Sequence, residues 1–268
     1  MDNSRQVLIF AAKDDLADFM VNQWKVLSES AIREKGYFAA ALSGGESPVP
    51  FYHKLSAAGP RIQWDRIHLF LADERFVPAS NPASNYRLLY ETLLKGIPIP
   101  GGNVHKVPVD GTDLMSSACM YEEEMRRFFS LPPGGIPEFD LVLLGIGTDG
   151  HTASLFPGHA ALDDTLHLAC AVRLDRDRHD RITLTLPVIN NARIAAFLIS
   201  GKAKARVLSD VVEGRQIRLP ASLVAPQNGS LWFLADKEAA EYLSAGIPVK
   251  SGRLFYPEEK QTETLPKV

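Results

Sequence analysis

Residues 139–158 read FDLVLLGIGTDGHTASLFPG, and this stretch decides the fold. An unbroken apolar run, Phe139 to Leu144, ends in a glycine loop that carries Asp149, His151 and Thr152. A run without alternation suits a strand covered on both faces, as in a parallel sheet. Loops at the carboxyl ends of such strands line the ligand crevice, so polar groups placed there are candidates for chemistry.

Working outward, further apolar runs alternate with helical patterns. Strands are expected at Val7–Ala11, Phe38–Leu42, Ile67–Ala72, His167–Val172, Ile182–Leu186, Arg193–Ser200 and Leu231–Leu234. Between them, Asp14 can cap a helix with Leu16, Phe19, Met20 and Leu27 on one face. Pro48 suits the first turn of a helix through Leu55. Ser84 and Thr112 can cap two more, and Gly201 opens another through Val212. Strand–helix alternation implies an α/β fold, a mainly parallel sheet with helices on both faces. Pro/Gly breaks at 97–102 and 131–137 read as loops inside one domain spanning residues 1–268, and the polar tail from Ser251 reads as loosely held.

Composition narrows the function classes. The chain has 268 residues, 46 % hydrophobic and 23 % charged, with a net charge of -3. That balance gives no footprint for nucleic acid or an anionic membrane. No apolar stretch approaches the ~20 residues of a membrane span. Cys119 and Cys170 are the only cysteines, without Cys-x-x-Cys or Cys/His clustering, so neither a zinc site nor a disulfide framework is expected. The apolar run in MDNSRQVLIFAAKDD is too short for a signal peptide, which makes a reducing cytoplasm the expected compartment.

Three clusters follow apolar runs. Gly145-x-Gly147-x-x-Gly150 matches a dinucleotide fingerprint in form, with Asp175 near the expected acidic position. However, Pro157-Gly158 should end the following helical stretch after about two turns. A carboxylate at Asp149 would also repel a pyrophosphate. No nicotinamide cofactor and no metal are expected. His151, two residues after Asp149, reads instead as a general base, because imidazole titrates near neutrality. Ser43-Gly44-Gly45-Glu46-Ser47-Pro48 follows a strand and opens a helix, a phosphate cradle in outline or a plain turn. Asp73-Glu74-Arg75 places three charges at a strand end, either a solvated loop or a place where Arg75 grips an oxyanion.

Together these segments resemble the 6-phosphogluconolactonase family, within the wider group that includes glucosamine-6-phosphate deaminase. The resemblance rests on LSGGESP (Leu42–Pro48), LADERFVPASNPASNY (Leu71–Tyr86), DLVLLGIGTDGHTASLFPG (Asp140–Gly158), RITLTLPVINNAR (Arg181–Arg193) and SGKAKARVL (Ser200–Leu208). It implies that the α/β fold is doubly wound, and that the reaction is hydrolysis of 6-phosphoglucono-δ-lactone in the oxidative pentose phosphate pathway. It also implies His151 as the base acting on water, Asp149 as its orienting partner, and Arg75 near developing charge. Asp73 would line the substrate site, and Ser43, Gly44, Gly45, Arg181 and Lys204 would hold the 6-phosphate.

Two departures matter. Deaminases of the group carry a glutamate five residues after the histidine, where this chain has Phe156, which cannot transfer a proton. Glu46 stands where lactonases usually have a small Ser or Thr, and its side chain is expected to point away from the phosphate. The alternatives are a deaminase or sugar-phosphate isomerase on the same scaffold, or a non-catalytic phosphosugar-binding module. The partner is a small phosphosugar lactone, and monomer and dimer are both open.

Overall fold

The computed structural model describes residues 5–59, 62–175, 178–245 and 249–251. The tail beyond Ser251 lies outside the described residues.

Eight strands form the main sheet: β1 (Arg5–Phe10), β2 (Phe38–Leu42), β3 (Ile67–Leu71), β5 (Val104–His105), β6 (Leu141–Leu144), β9 (Ile194–Ile199), β10 (Ser230–Asp236) and β11 (Val249–Ser251). Their order is β11-β1-β10-β9-β6-β2-β3-β5, and every neighbouring pair is parallel. β2 (FAAAL), β6 (LVLL) and β9 (IAAFLI) are buried at every residue. That agrees with unbroken apolar runs between two covered faces.

The two coverings can be told apart by side-chain parity. Trp24 of helix α1 (Lys13–Lys35) packs edge-on against Phe38 with ring centroids 5.0 Å apart. Phe70, on the opposite face, meets Phe128 of helix α4 (Leu114–Phe128) at 5.3 Å.

The path of the chain creates a switch point. From β2 it runs outward through β3 to β5. It then returns to the other side of β2 with β6 and runs the other way through β9 and β10. The loops after β2 and β6 therefore diverge and leave a crevice at their carboxyl ends, the place where open α/β sheets bind ligands. Ser43 Oγ donates to Leu143 O at 2.7 Å and ties the two strand ends together.

Several expectations change. The runs expected at 167–172 and 182–186 do form strands, β7 (Ala169–Val172) and β8 (Arg181–Leu184). They do not join the parallel sheet. With β4 (Asp73–Arg75) they make a separate antiparallel sheet, β4-β8-β7. Short apolar runs carry no record of their partner, so the sequence pattern could not separate these from core strands. The short β5 and β11 leave no periodic signal at all.

Helix α1 starts two residues earlier than expected, with Ala12 rather than Asp14 at its N-cap, and Asp15 accepts from the Ala12 N–H at 3.0 Å. Asp113, not Thr112, caps α4, accepting from the N–H groups of Met115 and Ser116 at 3.0 Å each. Ser84 caps α3 (Asn85–Thr92) as expected, accepting from Arg87 N–H at 3.1 Å. Pro48 borders α2 (Val49–Ala57). Gly201 leads through a 3-10 turn into α6 (Ala205–Val212). The α5 segment, Leu186–Asn190, is a single turn between β8 and β9. The two-turn helix expected after Gly150 is absent. Thr152 and Leu155 instead form an isolated bridge, so no helix N-terminus faces the glycine loop.

Candidate active site

A cleft of about 470 Å³ opens at the switch point. Four segments build it, each following the carboxyl end of a strand.

After β6, the loop 145–151 folds on itself. Gly147 N–H donates to His151 O at 2.8 Å, and Thr152 Oγ donates to Gly145 O at 2.9 Å. A Cβ on Gly147 would lie 2.1 Å from His151 Nδ1 and 2.5 Å from Asp149 Oδ1, so glycine is what lets the imidazole fold down there. His151 Nδ1 lies 2.5 Å from Asp149 Oδ1. A carboxylate only accepts, so in the neutral imidazole the tautomer that fits this contact has its proton on Nδ1 and its lone pair on Nε2. Burial alone would raise the Asp149 pKa, but the charge and hydrogen bonds of His151 outweigh it and hold the carboxyl below its ordinary value. The Phe156 ring packs on the imidazole at 4.6 Å between centroids. Ala153, also lining the cleft, adopts a left-handed φ of 47°, uncommon for a residue with a Cβ.

After β2, Ser43 to Ser47 line the cleft. The Ser43 hydroxyl is engaged with Leu143, and Tyr52 OH donates to Ser43 O at 2.6 Å, so this loop presents mainly backbone to a ligand. A Cβ on Gly44 would sit 1.9 Å from Asn85 Oδ1, and Gly45 has φ +92°. Both glycines are therefore demanded by the geometry.

After β3, Asp73 is buried and held on both sides. Asn85 Nδ2 donates to its carbonyl at 2.9 Å and to Oδ1 at 3.1 Å, while Ser154 Oγ donates to Oδ2 at 2.6 Å. Asp73, Arg75 and Asn85 all line the cleft. Arg75 Nη1 donates to Ala83 O at 2.5 Å, whereas its Nε is buried without a hydrogen-bond partner among the described residues. Glu74 does not belong to the cleft. Its buried carboxylate accepts from Asn85 N–H (2.7 Å), Tyr86 N–H (2.8 Å) and Ser84 Oγ (3.0 Å) and secures the start of α3. The 73–75 cluster is thus neither a solvated loop nor wholly functional.

After β9, Ser200 to Lys204 close the remaining side, and Ser200 Oγ bonds Ser47 Oγ at 3.1 Å. Lys202 pairs with Glu241. Lys204 is half-buried, and its side chain makes no hydrogen bond or ion pair with the described residues. Burial lowers its pKa, and the charges of Asp149 and Glu46 oppose that shift.

The structure therefore gathers His151, Arg75, Asp73, Ser43, Gly44, Gly45 and Lys204 along one cleft. Asp149 stands behind His151 rather than on the wall. Arg181 does not line the cleft either. It sits opposite Arg75 on β8, with Nη1 buried and unpartnered among the described residues, and burial, then Arg75, lowers its pKa. Glu46, whose side chain is expected from the sequence to point away from the phosphate, is a residue of the cleft lining, and its charge reaches Lys204. Sequence reasoning passed over Asn85 and Ser154, although both stand inside the quoted motifs. Their signal is a buried polar residue beside the acid it holds, visible only once the fold brings them together. Among the described residues, no group of three or more His, Cys, Asp or Glu side chains is arranged to hold a metal ion.

A switch-point cleft with an oriented imidazole, a glycine loop and unpaired cationic groups marks an enzyme of sugar-phosphate type. The chain belongs to the glucosamine-6-phosphate isomerase/6-phosphogluconolactonase family, whose model matches residues 11–233. It is 40 % identical over 215 residues to the 6-phosphogluconolactonase of Synechocystis, covering 80 % of this chain and 88 % of that one. A probable 6-phosphogluconolactonase of Oryza sativa is 36 % identical over 259 residues, covering 90 % and 86 %. Among solved structures, the 6-phosphogluconolactonase of Thermotoga maritima superposes with a TM-score of 0.75 at 31 % identity, covering 87 % of this chain and all of that one. A monomeric glucosamine-6-phosphate deaminase, at 20 % identity and a TM-score of 0.74, shares the fold alone.

Proposed function

We propose that this protein hydrolyses 6-phospho-D-glucono-1,5-lactone to 6-phospho-D-gluconate. The observation that supports the mechanism is the 2.5 Å contact of His151 Nδ1 with Asp149, which leaves Nε2 free to act as the base. Water attacks the lactone carbonyl carbon while His151 Nε2 takes one of its protons. Asp149 stabilises the imidazolium that forms. Arg75, whose Nε has no hydrogen-bond partner among the described residues, faces the oxyanion of the tetrahedral intermediate. The bond from that carbon to the ring oxygen then breaks, and His151 returns its proton to the departing oxygen, which becomes the C5 hydroxyl. The ring-opened acid ionises to the carboxylate. One base suffices for this reaction, and general-base assistance of this kind supplies about 10²- to 10⁴-fold.

The 6-phosphate is assigned to the backbone of Ser43–Gly45 and to Lys204, with Arg181 acting behind Arg75. Among the described residues no helix is long and apolar enough to cross a membrane. The two free cysteines suit the reducing cytoplasm that forms part of the proposal.

His151→Ala, folded as judged by circular dichroism, should lose at least ~10²-fold in turnover of freshly generated lactone after subtraction of spontaneous hydrolysis. Near wild-type turnover removes His151 from the mechanism. The wild-type protein should release no ammonia from glucosamine 6-phosphate, because Phe156 offers no proton. Saturable deamination at a rate comparable with lactone hydrolysis overturns the assignment.

A further inference from the structure

Glu46 is out of place. It belongs to the glycine loop, with Gly45 at φ +92°, that is assigned above to the substrate's phosphate, yet it brings a negative charge to the cleft wall. Among the described residues its carboxylate makes no hydrogen bond and no ion pair. Lys204 lies on the wall of the same cleft, also without a close partner. The neighbouring cation is committed elsewhere, since Lys202 pairs with Glu241 at 3.2 Å. The other carboxylate near Lys204, Asp149, is tethered to His151 at 2.5 Å. Glu46 is exposed and carries no such tether, so it can move.

We infer that Glu46 is an affinity-tuning residue: a side-chain anion on the cleft wall that competes with the substrate's phosphate for Lys204, so that affinity is given up and the product, which carries a carboxylate besides its phosphate, leaves faster. The inference takes the identity of the ligand, a phosphorylated lactone, from the function proposed above. Lys204 feels this charge without a close contact, because burial lowers its pKa and the charges of Asp149 and Glu46 offset part of that lowering. An arriving phosphate must share Lys204 with Glu46 or push its side chain towards solvent. Either event weakens binding without touching the reacting carbon, so the effect belongs in KM and in product inhibition.

The test compares four proteins, wild type, E46Q, K204A and E46Q/K204A, by calorimetric titration with inorganic phosphate at low ionic strength. This readout needs no turnover. E46Q should bind phosphate about two- to fivefold more tightly than wild type, the range spanned by an exposed ion pair. Added salt should shrink the gain. In the K204A background the Glu46→Gln change should yield no gain. On the phosphorylated lactone, E46Q should lower KM by the same factor without raising kcat, and product inhibition should tighten. Its KM for unphosphorylated glucono-δ-lactone should stay unchanged.

Equal phosphate affinity in wild type and E46Q overturns the inference, as does a gain that persists without Lys204 or an absence of phosphate binding in all four proteins. A rise in KM for both lactones on Glu46→Gln also overturns it, because Glu46 would then be holding a sugar hydroxyl. If the phosphate results hold while the wild type turns over no lactone, the proposed function fails and the role of Glu46 stands.

Discussion

Arg75 and Arg181 stand opposite one another across the antiparallel pairing of β4 and β8. Like charges directly opposite on a sheet oppose pairing. Here each guanidinium also buries a nitrogen, Nε of Arg75 and Nη1 of Arg181, without a partner among the described residues. An anion in the neighbouring cleft, which Arg75 lines, offsets the repulsion between the two, since a planar guanidinium binds phosphate or carboxylate through charge-assisted hydrogen bonds. Lys204→Ala should weaken binding of the phosphorylated lactone by about 10- to 100-fold, the worth of one charge-assisted contact, and Arg181→Ala, which acts from behind Arg75, by a smaller factor. Residual hydrolysis of glucono-δ-lactone should barely change. Steady-state kinetics on both substrates decides the matter, and equal losses on the two would make the cations structural.

Gly147→Ala probes the loop that seats His151. The added methyl would meet Nδ1 at 2.1 Å and Asp149 Oδ1 at 2.5 Å. The imidazole must shift by about an ångström, a displacement that costs on the order of 10²-fold in rate. Turnover should fall by that factor while thermal stability changes little. Full activity in the alanine variant would show that the His151–Asp149 contact is not needed.

Glu74→Gln probes the other use of the 73–75 cluster. Burial raises the Glu74 pKa, while hydrogen bonds from Tyr86, Asn85, Arg75 and Ser84 favour the carboxylate. An amide turns one acceptor into a donor that faces backbone N–H groups, leaving buried groups unpaired. The expected loss is about 1–3 kcal/mol of stability by urea unfolding. An unchanged unfolding midpoint would remove Glu74 as the anchor of α3.

Acid sensitivity should come from a site far from the cleft in sequence. His68 Nδ1 lies 3.0 Å from His105 Nε2, and His105 Nδ1 lies 2.6 Å from Glu124 Oε1. Burial lowers the pKa of both histidines to about 4, with His105 adding to the shift at His68 and Arg127 to that at His105. The folded state therefore resists protons that the unfolded chain accepts from about pH 6.5 downward. Stability should be complete above that pH and fall progressively as the pH drops towards 4. His68→Gln removes one of the two groups, so its unfolding midpoint should decline less steeply over the same window. Parallel declines in variant and wild type would exclude this pair as the source.

Local pattern was enough for much of this protein. The apolar run into Gly145–His151 and the glycines after β2 are legible because strand burial and tight turns impose residue types over a few consecutive positions. The Ser84 cap and the approach of Asp149 to His151, two residues apart, are local in the same sense. The tertiary structure alone decided what lies across long separations. Ser154 reaches Asp73 over 81 residues, and Ser43 reaches Leu143 over 100. The three residues of β4 are too few to show a period, so the separate antiparallel sheet, and with it the facing of Arg75 and Arg181, could not be read from the chain. The same holds for Glu46. Its charge is plain in the sequence, but its proximity to Lys204 arises because β2 and β9 end at the same edge of one sheet, on either side of β6.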